Sequence, residues 1–578
     1  MNNVVIAKTF QDIADLLEIK EDSSFKVRAY QRAARSIKHL PVELEQLMQE
    51  GMLREVPGIG EAISKNIVEL LTTGRLEYYD KLRAEFPEGI SNLMQVSGIG
   101  PKLAVKLTKE LGIKSTGELE AAIVEGKVSQ LSGLGDRAAE NILRHIQSIR
   151  TKEDRIPLGV ALPVAEEIIA SLYHCSSLQR AFPVGSVRRF KETVGDVSII
   201  STGYEAEGIL DAFVRLPQVR EIQDRGNTTA RVIVQQAIPV DFHVVEPETF
   251  GSQLQYFTGS ELHNKKLRER AYRCGLKLSE NGIADLSSGS LEKFSSEEEI
   301  YSRLGLQFIP PELREGQLEV ENAEQGNLPQ LVELSGIRGD LHVHTNWSDG
   351  QESIETMAAA AWALGYEYLA ITDHSRGRGI AHGLNEERLR EQILEIKRLN
   401  ERGIRPRLLT GIEVDIRADG SLDLPDEILS ELDIVIAAVH SAMGQDEENM
   451  TRRIICALEN PNVDILAHPS CRLLGEREPV AADWDVILHA AARSGTMLEI
   501  NAMPVRLDLK DLHVFRARQL GVKLSIGSDA HSTEHLNYMR FGVGVARRGW
   551  CEAPHILNTS SLEQVKLLLE HKGSTWRN

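Results

Sequence analysis

The pattern of apolar and polar positions changes twice along the chain. In three stretches before residue 150, apolar residues recur at i, i+3, i+4 and i+7, which is the spacing of an amphipathic helix. The middle of the chain contains short runs rich in β-branched residues, which predict strands. After about residue 335, short apolar strands alternate with helices, and polar residues follow the strands. This order predicts helical domains, then an α+β region, then a β/α barrel.

Three segments near the N-terminus resemble one another. They read VPGIGEAISKNIVELL from Val56, VSGIGPKLAVKLTKEL from Val96 and LSGLGDRAAENILRHI from Leu131. Each Gly-x-Gly turn can expose backbone N–H groups at a helix N-terminus, where a phosphate can bind. A lone turn of this kind is usually a plain connector, whereas three copies indicate helix-hairpin-helix units that contact the DNA backbone. The predicted DNA-binding glycines are Gly58, Gly60, Gly98, Gly100, Gly133 and Gly135.

A basic segment precedes the first repeat. The run KVRAYQRAARSIK, from Lys26 to Lys38, contains five basic residues and no acid. Arg28, Arg32 and Arg35 fall on one helical face at i, i+4 and i+7. An isolated patch would be interpreted as solvated surface, but beside three phosphate-binding turns it predicts a DNA-facing surface.

Charge and cysteine usage bound the class of protein. The 66 basic and 85 acidic residues of the 578-residue chain give a net charge of -19. Residues 1–150 hold 20 basic and 21 acidic side chains, so the remainder carries -18 of that total. Five scattered cysteines, acids within the first twenty residues and the lack of a long apolar run predict a cytoplasmic protein without a membrane partner, which we expect to be monomeric.

The middle of the chain carries motifs of nucleotide chemistry. Residues 183–200 read PVGSVRRFKETVGDVSII, the strand IPVDFHVV carries Asp241, and YFTGSELHNKKLR begins at Tyr256. In these motifs and their order, residues 1–315 resemble the family X DNA polymerases. The resemblance implies a nucleotidyltransferase palm and a thumb, in which Gly185, Ser186 and Arg189 hold a deoxynucleoside triphosphate. It also implies that Tyr256, Phe257 and Gly259 line the sugar, that Asn264 reaches the base, and that Arg268 approaches the template.

The implied polymerase chemistry uses Mg²⁺ or Mn²⁺ ions held by three carboxylates, two of them in an Asp-x-Asp pair. This chain has Asp196 and Asp241, but Ser198 stands at the second position of the pair. A neutral hydroxyl is a poor ligand for hard divalent cations. We therefore expect weak or absent gap filling, with a fully active gap-filling polymerase as the alternative.

A lyase activity of the family's animal members is not favoured by this sequence. The implied Schiff-base lysine falls on Asn66, and the adjacent Lys65 points about 100° away around the helix. Lys26 matches a phosphate-binding lysine of the family, so it joins the predicted DNA-binding residues.

The C-terminal region concentrates metal-binding side chains. Of the 17 histidines, 12 lie after residue 330, and many of them follow apolar strands in GDLHVHTNWSDG, YLAITDHS, IVIAAVHS, DILAHPS and LSIGSDAHS. Side chains at the carboxyl ends of barrel strands meet at one face. Imidazole and carboxylate without thiolate suit manganese, zinc or iron, and such ions can activate water against a phosphoester.

These elements and their order resemble the PHP (polymerase and histidinol phosphatase) family. Nine residues match the family's ligands for about three metal ions: His342, His344, Asp349, His374, Glu413, His440, His468, Asp529 and His531. A polymerase-like core followed by a PHP barrel resembles the bacterial family X DNA polymerases. That resemblance implies base-excision repair on gapped or 3′-recessed DNA, with a manganese-dependent 3′-5′ exonuclease and, in some members, an apurinic-site endonuclease.

Other residues near the predicted ligands have open roles. Asp373 is expected to orient a ligand histidine, and Asp415 is either solvent-facing or a support for a ligand. Arg472, Arg477 and Arg506 follow strand ends and are candidates for binding substrate phosphate.

Two further hypotheses remain open at this point: a DNA-gap scaffold without hydrolytic activity, and a small-molecule phosphatase of histidinol-phosphate type. The predicted domains are an N-terminal lyase-like helical domain (1–80), a fingers-like helical domain (81–150), a palm (151–250), a thumb (251–315), a linker (316–335) and a PHP domain (336–578).

Overall fold

The computed structural model describes residues 3–20, 23–38, 44–49, 52–56, 58–73, 75–84, 90–93, 99, 101–128, 142–143, 155–175, 177–203, 205–377 and 382–575. The chain forms two compact units, residues 1–154 and 155–578. Within the described ranges, no helix is long and apolar enough to cross a membrane.

The first unit is helical. Its described helices are Asn3–Ile19, Ser24–Lys38, Leu44–Gln49, Glu61–Thr73, Glu77–Ala84, Ile90–Leu93, Pro101–Leu111 and Thr116–Val124. Phe10, Ile37 and Ile67 belong to one buried cluster, while Leu93 and Leu107 belong to another. These separate cores give two small helical layers, as the apolar spacing predicts.

The second unit begins with a mixed sheet. Its strands are β1 (Ile156–Pro157), β2 (Leu178–Pro183), β3 (Thr193–Val194), β4 (Val197–Gly203), β5 (Val219–Arg225), β6 (Thr229–Val234) and β7 (Pro239–Val245). Five of them pair in the order β2-β4-β7-β6-β5, with β4 and β7 parallel. The helices Leu158–Cys175, Gly185–Arg188 and Ala206–Val214 accompany the sheet. Because β4 and β7 are parallel neighbours, Asp241 lies directly opposite Ser198.

A smaller α+β layer follows the palm. It consists of the helices Phe250–Thr258, Glu261–Arg273, Glu297–Arg303 and Glu319–Gln325, and the antiparallel strands β8 (Leu276–Ser279), β9 (Gly282–Asp285) and β10 (Leu291–Glu292). The last helix falls in the segment predicted as a linker. Its Val320 and Ala323 are buried in the same cluster as Leu267 and Tyr301. That part of the chain therefore packs as a layer of the thumb.

The C-terminal region is a ring of seven parallel strands in sequential order. They are β11 (Gly339–Val343), β12 (Tyr368–Ile371), β13 (Arg407–Asp415), β14 (Ile434–Ala438), β15 (Ile465–Leu466), β16 (Met497–Asn501) and β17 (Leu524–Gly527). A bridge between Val343 and Ala530 brings the first strand beside the last, so the sheet is nearly closed. The helices of this region are Ile354–Ala363, Glu386–Glu401, Asp426–Leu429, Glu447–Leu458, Trp484–Ser494, Asp511–Gln519, Met539–Arg548 and Leu562–Thr575. The predicted β/α barrel is thus confirmed.

Candidate metal centre and nucleic-acid interface

The nine side chains predicted as metal ligands lie at one end of the barrel. Each lies near the carboxyl end of a strand or in the loop that follows the strand. Parallel strands bring their carboxyl ends to the same face of a barrel. All but Asp349 and His531 are buried or nearly so, and those two are about one-fifth exposed. The cluster is therefore enclosed on its barrel side and open toward Asp349 and His531.

Interatomic distances divide this cluster into three overlapping groups. The groups are His342, His344 and Asp529; His374, Glu413 and His440; and His344, Asp349, His374 and His531. His468, the ninth residue, places Nε2 2.8 Å from Glu413 Oε1. His344 and His374 each belong to two groups, so their rings connect the three positions.

The donor set fits divalent cations. The ring nitrogens His344 Nδ1 and His440 Nε2 are buried and make no hydrogen bond to a described residue. A buried polar atom without a partner is unfavourable unless something else satisfies it. The three groups contain five imidazoles and three carboxylates, and His468 adds a sixth imidazole beside Glu413; the buried clusters of a PHP domain indicate metal binding.

Burial and neighbouring charges shift the pKa values of side chains in the cluster. Burial, together with His531 and His374, lowers the pKa of His344 to about 3. Burial also opposes the charge on His374, but the Glu413 and Asp349 carboxylates together outweigh it and raise the pKa of His374 to about 9. The pKa of Glu413 lies well below its usual value because His374 and His440 overcome its desolvation. A cation that enters here must displace a proton from His374.

Two carboxylates contact predicted ligand histidines at Nδ1, the ring nitrogen that does not face the cluster. Glu499 Oε1 lies 2.6 Å from His342 Nδ1, and Asp415 Oδ1 lies 2.5 Å from His440 Nδ1. Each carboxylate favours the tautomer in which Nδ1 donates and Nε2 faces the cluster. The sequence reasoning considered Asp415 but missed Glu499. The only available signal was an acid inside the apolar strand MLEIN, where a buried charge needs a partner.

Glu499→Gln is expected to lower the affinity of the chain for Mn²⁺ by about 10- to 100-fold. Glutamine cannot accept the His342 proton as strongly, so the ring becomes a weaker and less ordered ligand. Calorimetric titration of the metal-free chain measures this change. Glu448→Gln, at a side chain that is 89% exposed, is the matched control. Equal affinities in Glu499→Gln and Glu448→Gln would contradict the role of Glu499.

Asp373 supports a loop rather than a histidine. It accepts hydrogen bonds from the Thr345 backbone (2.8 Å) and hydroxyl (2.6 Å), the Ser348 hydroxyl and the Gln392 amide (2.6 Å). These bonds hold the loop that carries Asp349. The expectation that Asp373 orients a ligand histidine is therefore replaced by a role in loop position.

The three candidate arginines differ in position. Arg506 Nε lies 3.4 Å from Asp529 Oδ2, at the edge of the cluster. Arg472 is buried and pairs with Glu192 at 2.8 Å, and Arg477 donates to the Cys471 carbonyl at 2.7 Å. Of these three contacts, that of Arg506 is the one with a predicted metal ligand, so Arg506 is the best placed of the three to approach a phosphate at the cluster.

The palm brings two acids and a serine together. Ser198 Oγ lies 3.5 Å from Asp196 Oδ2, and Asp241 is opposite Ser198 on the neighbouring strand. Burial raises the pKa of Asp241, and the Asp196 charge adds to that rise although Arg231 opposes it. In the described residues no third His, Cys, Asp or Glu completes a metal-binding group at this point. The position that would complete it is Ser198.

The predicted triphosphate turn lies against the thumb. A Cβ on Gly185 would sit 3.9 Å from the Phe257 carbonyl, and one on Gly259 would sit 3.3 Å from Arg189 Nη1. Arg189 also donates to the Thr258 carbonyl. Gly185 and Gly259 have φ values of 61° and 66°, in the left-handed region that favours glycine. The structure thus brings together Gly185, Ser186, Arg189, Phe257 and Gly259.

The remaining predicted nucleotide-binding residues lie on the thumb. Tyr256 is partly exposed and packs edge-on against Phe257, and Arg268 is exposed. The Asn264 amide is engaged internally, donating to the Tyr256 carbonyl and accepting from Gln255, both at 2.8 Å. These bonds hold the amide in place and use one of its two N–H groups and one lone pair of its oxygen.

In the first unit, the basic helix adjoins the first Gly-x-Gly turn. Gly58 has a φ of 90°, and a Cβ there would sit 3.1 Å from Arg32 Cγ, so Arg32 crosses the turn. Arg28 and Arg35 are exposed on the same helix, and Lys26 Nζ lies 4.9 Å from the Tyr78 ring. Gly60 is exposed at the start of the next helix. The predicted glycines of the other two turns, Gly98, Gly100, Gly133 and Gly135, lie outside the described residues.

The implied lyase position is occupied by a side chain that has a structural contact. Asn66 Nδ2 donates to the Tyr30 hydroxyl at 2.8 Å, and the adjacent Lys65 pairs with Glu61 at 3.0 Å on the surface. Asn66 carries no amine, and the Lys65 amine is paired with Glu61, the residue that follows Gly60.

Family models match four parts of the chain. They are a helix-hairpin-helix domain (residues 1–76), a SAM-like helix-hairpin-helix tandem (90–148), a DNA polymerase beta thumb (253–315) and a PHP domain (340–503). The order of these matches is the order that the motifs predict.

Whole-chain comparison gives a similar result. The chain is 39% identical over 573 residues to a "DNA polymerase/3'-5' exonuclease PolX" of Bacillus subtilis, covering 99% of this chain and all of that protein. Proteins named "probable phosphatase" match a smaller part. One from Thermoanaerobacter is 32% identical over 248 residues, 40% of this chain and 94% of that protein. One from Acetivibrio thermocellus is 30% identical over 204 residues, 33% of this chain and 78% of that protein. Since one relative matches from end to end, the chain belongs to the bacterial family X DNA polymerases that carry a C-terminal PHP domain.

Proposed function

We propose that this chain is a DNA-repair enzyme whose barrel removes nucleotides from DNA 3′ ends in a metal-dependent reaction, with apurinic-site cleavage as a related activity. The observation that carries this proposal is the convergence of five histidines and three carboxylates in three overlapping groups at one end of the barrel, with a sixth histidine, His468, against Glu413. The relative from Bacillus subtilis that matches end to end is named for a polymerase and a 3′-5′ exonuclease, which supports the assignment.

The barrel residues have distinct tasks in this proposal. Its nine ligands hold about three ions, with manganese as the favoured metal and zinc or iron as alternatives. When bound, such ions neutralise the phosphate oxygens and make a water molecule more acidic. Glu499 and Asp415 fix the tautomers of His342 and His440, and Asp373 holds the Asp349 loop. Arg506, beside Asp529, orients the phosphate of the terminal nucleotide.

In this proposal, the palm and thumb principally bind DNA. Gly185, Ser186 and Arg189 receive the triphosphate of a nucleotide, and the first unit contacts the backbone of a gapped or 3′-recessed duplex. Asp196 and Asp241 alone hold Mg²⁺ or Mn²⁺ poorly, because Ser198 contributes no charge. Gap filling is therefore weak or lost, and the core presents 3′ ends to the nuclease.

The test offers two substrates to the whole chain with Mn²⁺. A 3′-labelled oligonucleotide annealed in a gapped duplex is expected to release its labelled terminal nucleotide, while a small phosphomonoester such as histidinol phosphate releases little inorganic phosphate. The reason is that the helix-hairpin-helix domains and thumb raise the local concentration of DNA only. Release of phosphate from the small phosphomonoester that is faster than release of nucleotide from DNA would contradict the proposal.

A small-molecule phosphatase is the second candidate, and the relatives named "probable phosphatase" favour it. They match at most 40% of this chain, whereas the relative named as a polymerase and exonuclease matches 99%. A phosphatase acting on small molecules would have no use for two helix-hairpin-helix regions and a thumb.

A further inference from the structure

One arginine of the barrel reaches the turn that carries the predicted triphosphate site. Arg548, at the end of helix Met539–Arg548, donates to the Arg189 carbonyl at 2.7 Å and to Glu315 Oε1 at 2.9 Å. Glu315 Oε1 in turn lies 3.3 Å from Arg189 Nε. The Arg548 guanidinium is buried and also pairs with Asp511 at 2.7 Å. The barrel and the palm therefore share one ion-pair network.

The turn that carries Arg189 also makes a close steric contact with the barrel. Phe190 follows Arg189 and has a φ of 54°, a left-handed conformation that is uncommon for a bulky residue. Its ring lies over Gly544 on the barrel helix, where a Cβ would come within 2.1 Å of the ring. Only glycine leaves room for this contact. The turn is thus held by the barrel through both Phe190 and the Arg189 carbonyl.

The charges of the network decide what Arg189 can bind. Glu315 also lies 3.5 Å from Lys191, so it has three cationic neighbours, namely Arg189, Lys191 and Arg548. With Asp511 included, three cations face two carboxylates and leave one net positive charge. Arg548 supplies the cation that keeps Glu315 from neutralising Arg189.

We propose that Arg548 of the barrel is a positioning residue for the nucleotide triphosphate site, which acts by holding Glu315 and the Arg189 backbone. This inference rests on the triphosphate-binding role of Arg189 in the proposed function. Without Arg548, Glu315 pairs fully with Arg189 and competes with the phosphates for the same guanidinium. The barrel is then part of the nucleotide site and not only a nuclease attached to it.

The test measures binding of Mg²⁺·dATP to the full chain by calorimetry, with inorganic triphosphate as a second probe. Arg548→Ala is expected to weaken both ligands by roughly tenfold, because one charge interaction near a partly buried site is lost. Adding Glu315→Gln to Arg548→Ala removes the competing carboxylate and is expected to restore most of the affinity. Glu315→Gln alone is expected to bind at least as tightly as the unmodified chain.

Arg540→Ala is the matched control. Arg540 is on the same barrel helix and also pairs with a palm residue, Glu166, at 2.9 Å, but that ion pair does not include Glu315 or Arg189, and Arg540 is more exposed than Arg548. It is expected to leave triphosphate affinity unchanged. Equal affinity in Arg548→Ala and the unmodified chain overturns the inference, as does a double variant that stays as weak as Arg548→Ala. An unmodified chain that binds neither probe overturns the proposed nucleotide site as well, while its nuclease activity is scored separately on labelled DNA.

Discussion

His344→Ala is expected to lower nucleotide release from DNA 3′ ends by at least about a thousandfold. His344 belongs to two of the three groups of ligand side chains, and its Nε2 lies 3.1 Å from His342 Nε2 and 3.3 Å from Asp529 Oδ1. Removing its imidazole therefore weakens two neighbouring candidate metal positions at once. A loss of about 4 kcal/mol of transition-state stabilisation corresponds to a rate ratio of this size. Release of label from a 3′-labelled gapped duplex with Mn²⁺ measures it.

His489→Ala serves as the control for this variant. His489 is an exposed barrel histidine whose Nδ1 contacts the Asp485 carbonyl, outside the cluster. It is expected to retain the activity of the unmodified chain. If His344→Ala releases nucleotides as fast as His489→Ala does, the assignment of the nuclease to the barrel is wrong.

Ser198→Asp is expected to raise the rate of single-nucleotide gap filling by roughly a hundredfold or more. The new carboxylate would stand beside Asp196 and opposite Asp241, where Ser198 Oγ now lies 3.5 Å from Asp196 Oδ2. Three carboxylates at one point bind Mg²⁺ far better than two, and each tenfold in rate corresponds to about 1.4 kcal/mol. Primer extension on a one-nucleotide gap, with all four deoxynucleoside triphosphates, measures the change.

This comparison is cleanest in a chain that also carries His344→Ala, because the extended primer is then not degraded. Ser198→Asn is the control, since it adds similar bulk without charge. Gap filling by the unmodified serine chain at a rate that Ser198→Asp does not raise would show that this site works without the third carboxylate.

The two activities meet at the same DNA ends. In the proposed function the nuclease removes 3′ nucleotides, while the core with Ser198 replaces them slowly or not at all. Arg548 couples the two halves physically, since it belongs to the barrel and holds the Arg189 turn. If Ser198→Asp gains gap-filling activity, that activity could also be used to measure the effect of Arg548→Ala on the Arg189 turn.

Much of the candidate metal site was predictable because barrel geometry is repetitive. His440 and His468 follow separate apolar strands. Parallel barrel strands place such positions on one face, independently of the conformation of the loops. The fold class and the family followed from the same ordered motifs and are confirmed. Glu499 was not predicted, because its partner His342 is 157 residues away and its own strand has no distinguishing pattern.

In the polymerase region, one motif position was predictable from the sequence, but the contacts between side chains were not. The loss of a carboxylate at Ser198 is readable from the sequence alone, since it depends on one position in a short motif. The engagement of Asn264 with Gln255 and Tyr256, and the packing of the helix Glu319–Gln325 on the thumb, depend on contacts that no local pattern encodes.

The sequence by itself therefore determined which chemical groups this protein has: nine candidate metal ligands near strand ends, a serine in place of an acid, and Gly-x-Gly turns. These follow from residue type and spacing, which are local. Only the tertiary structure decided which groups touch. Glu499 supports His342, Asp373 holds a loop instead of a histidine, and Arg548 reaches the Arg189 turn. Such pairings depend on how distant segments pack, because a buried charge is satisfied by whichever partner the fold brings within hydrogen-bond distance.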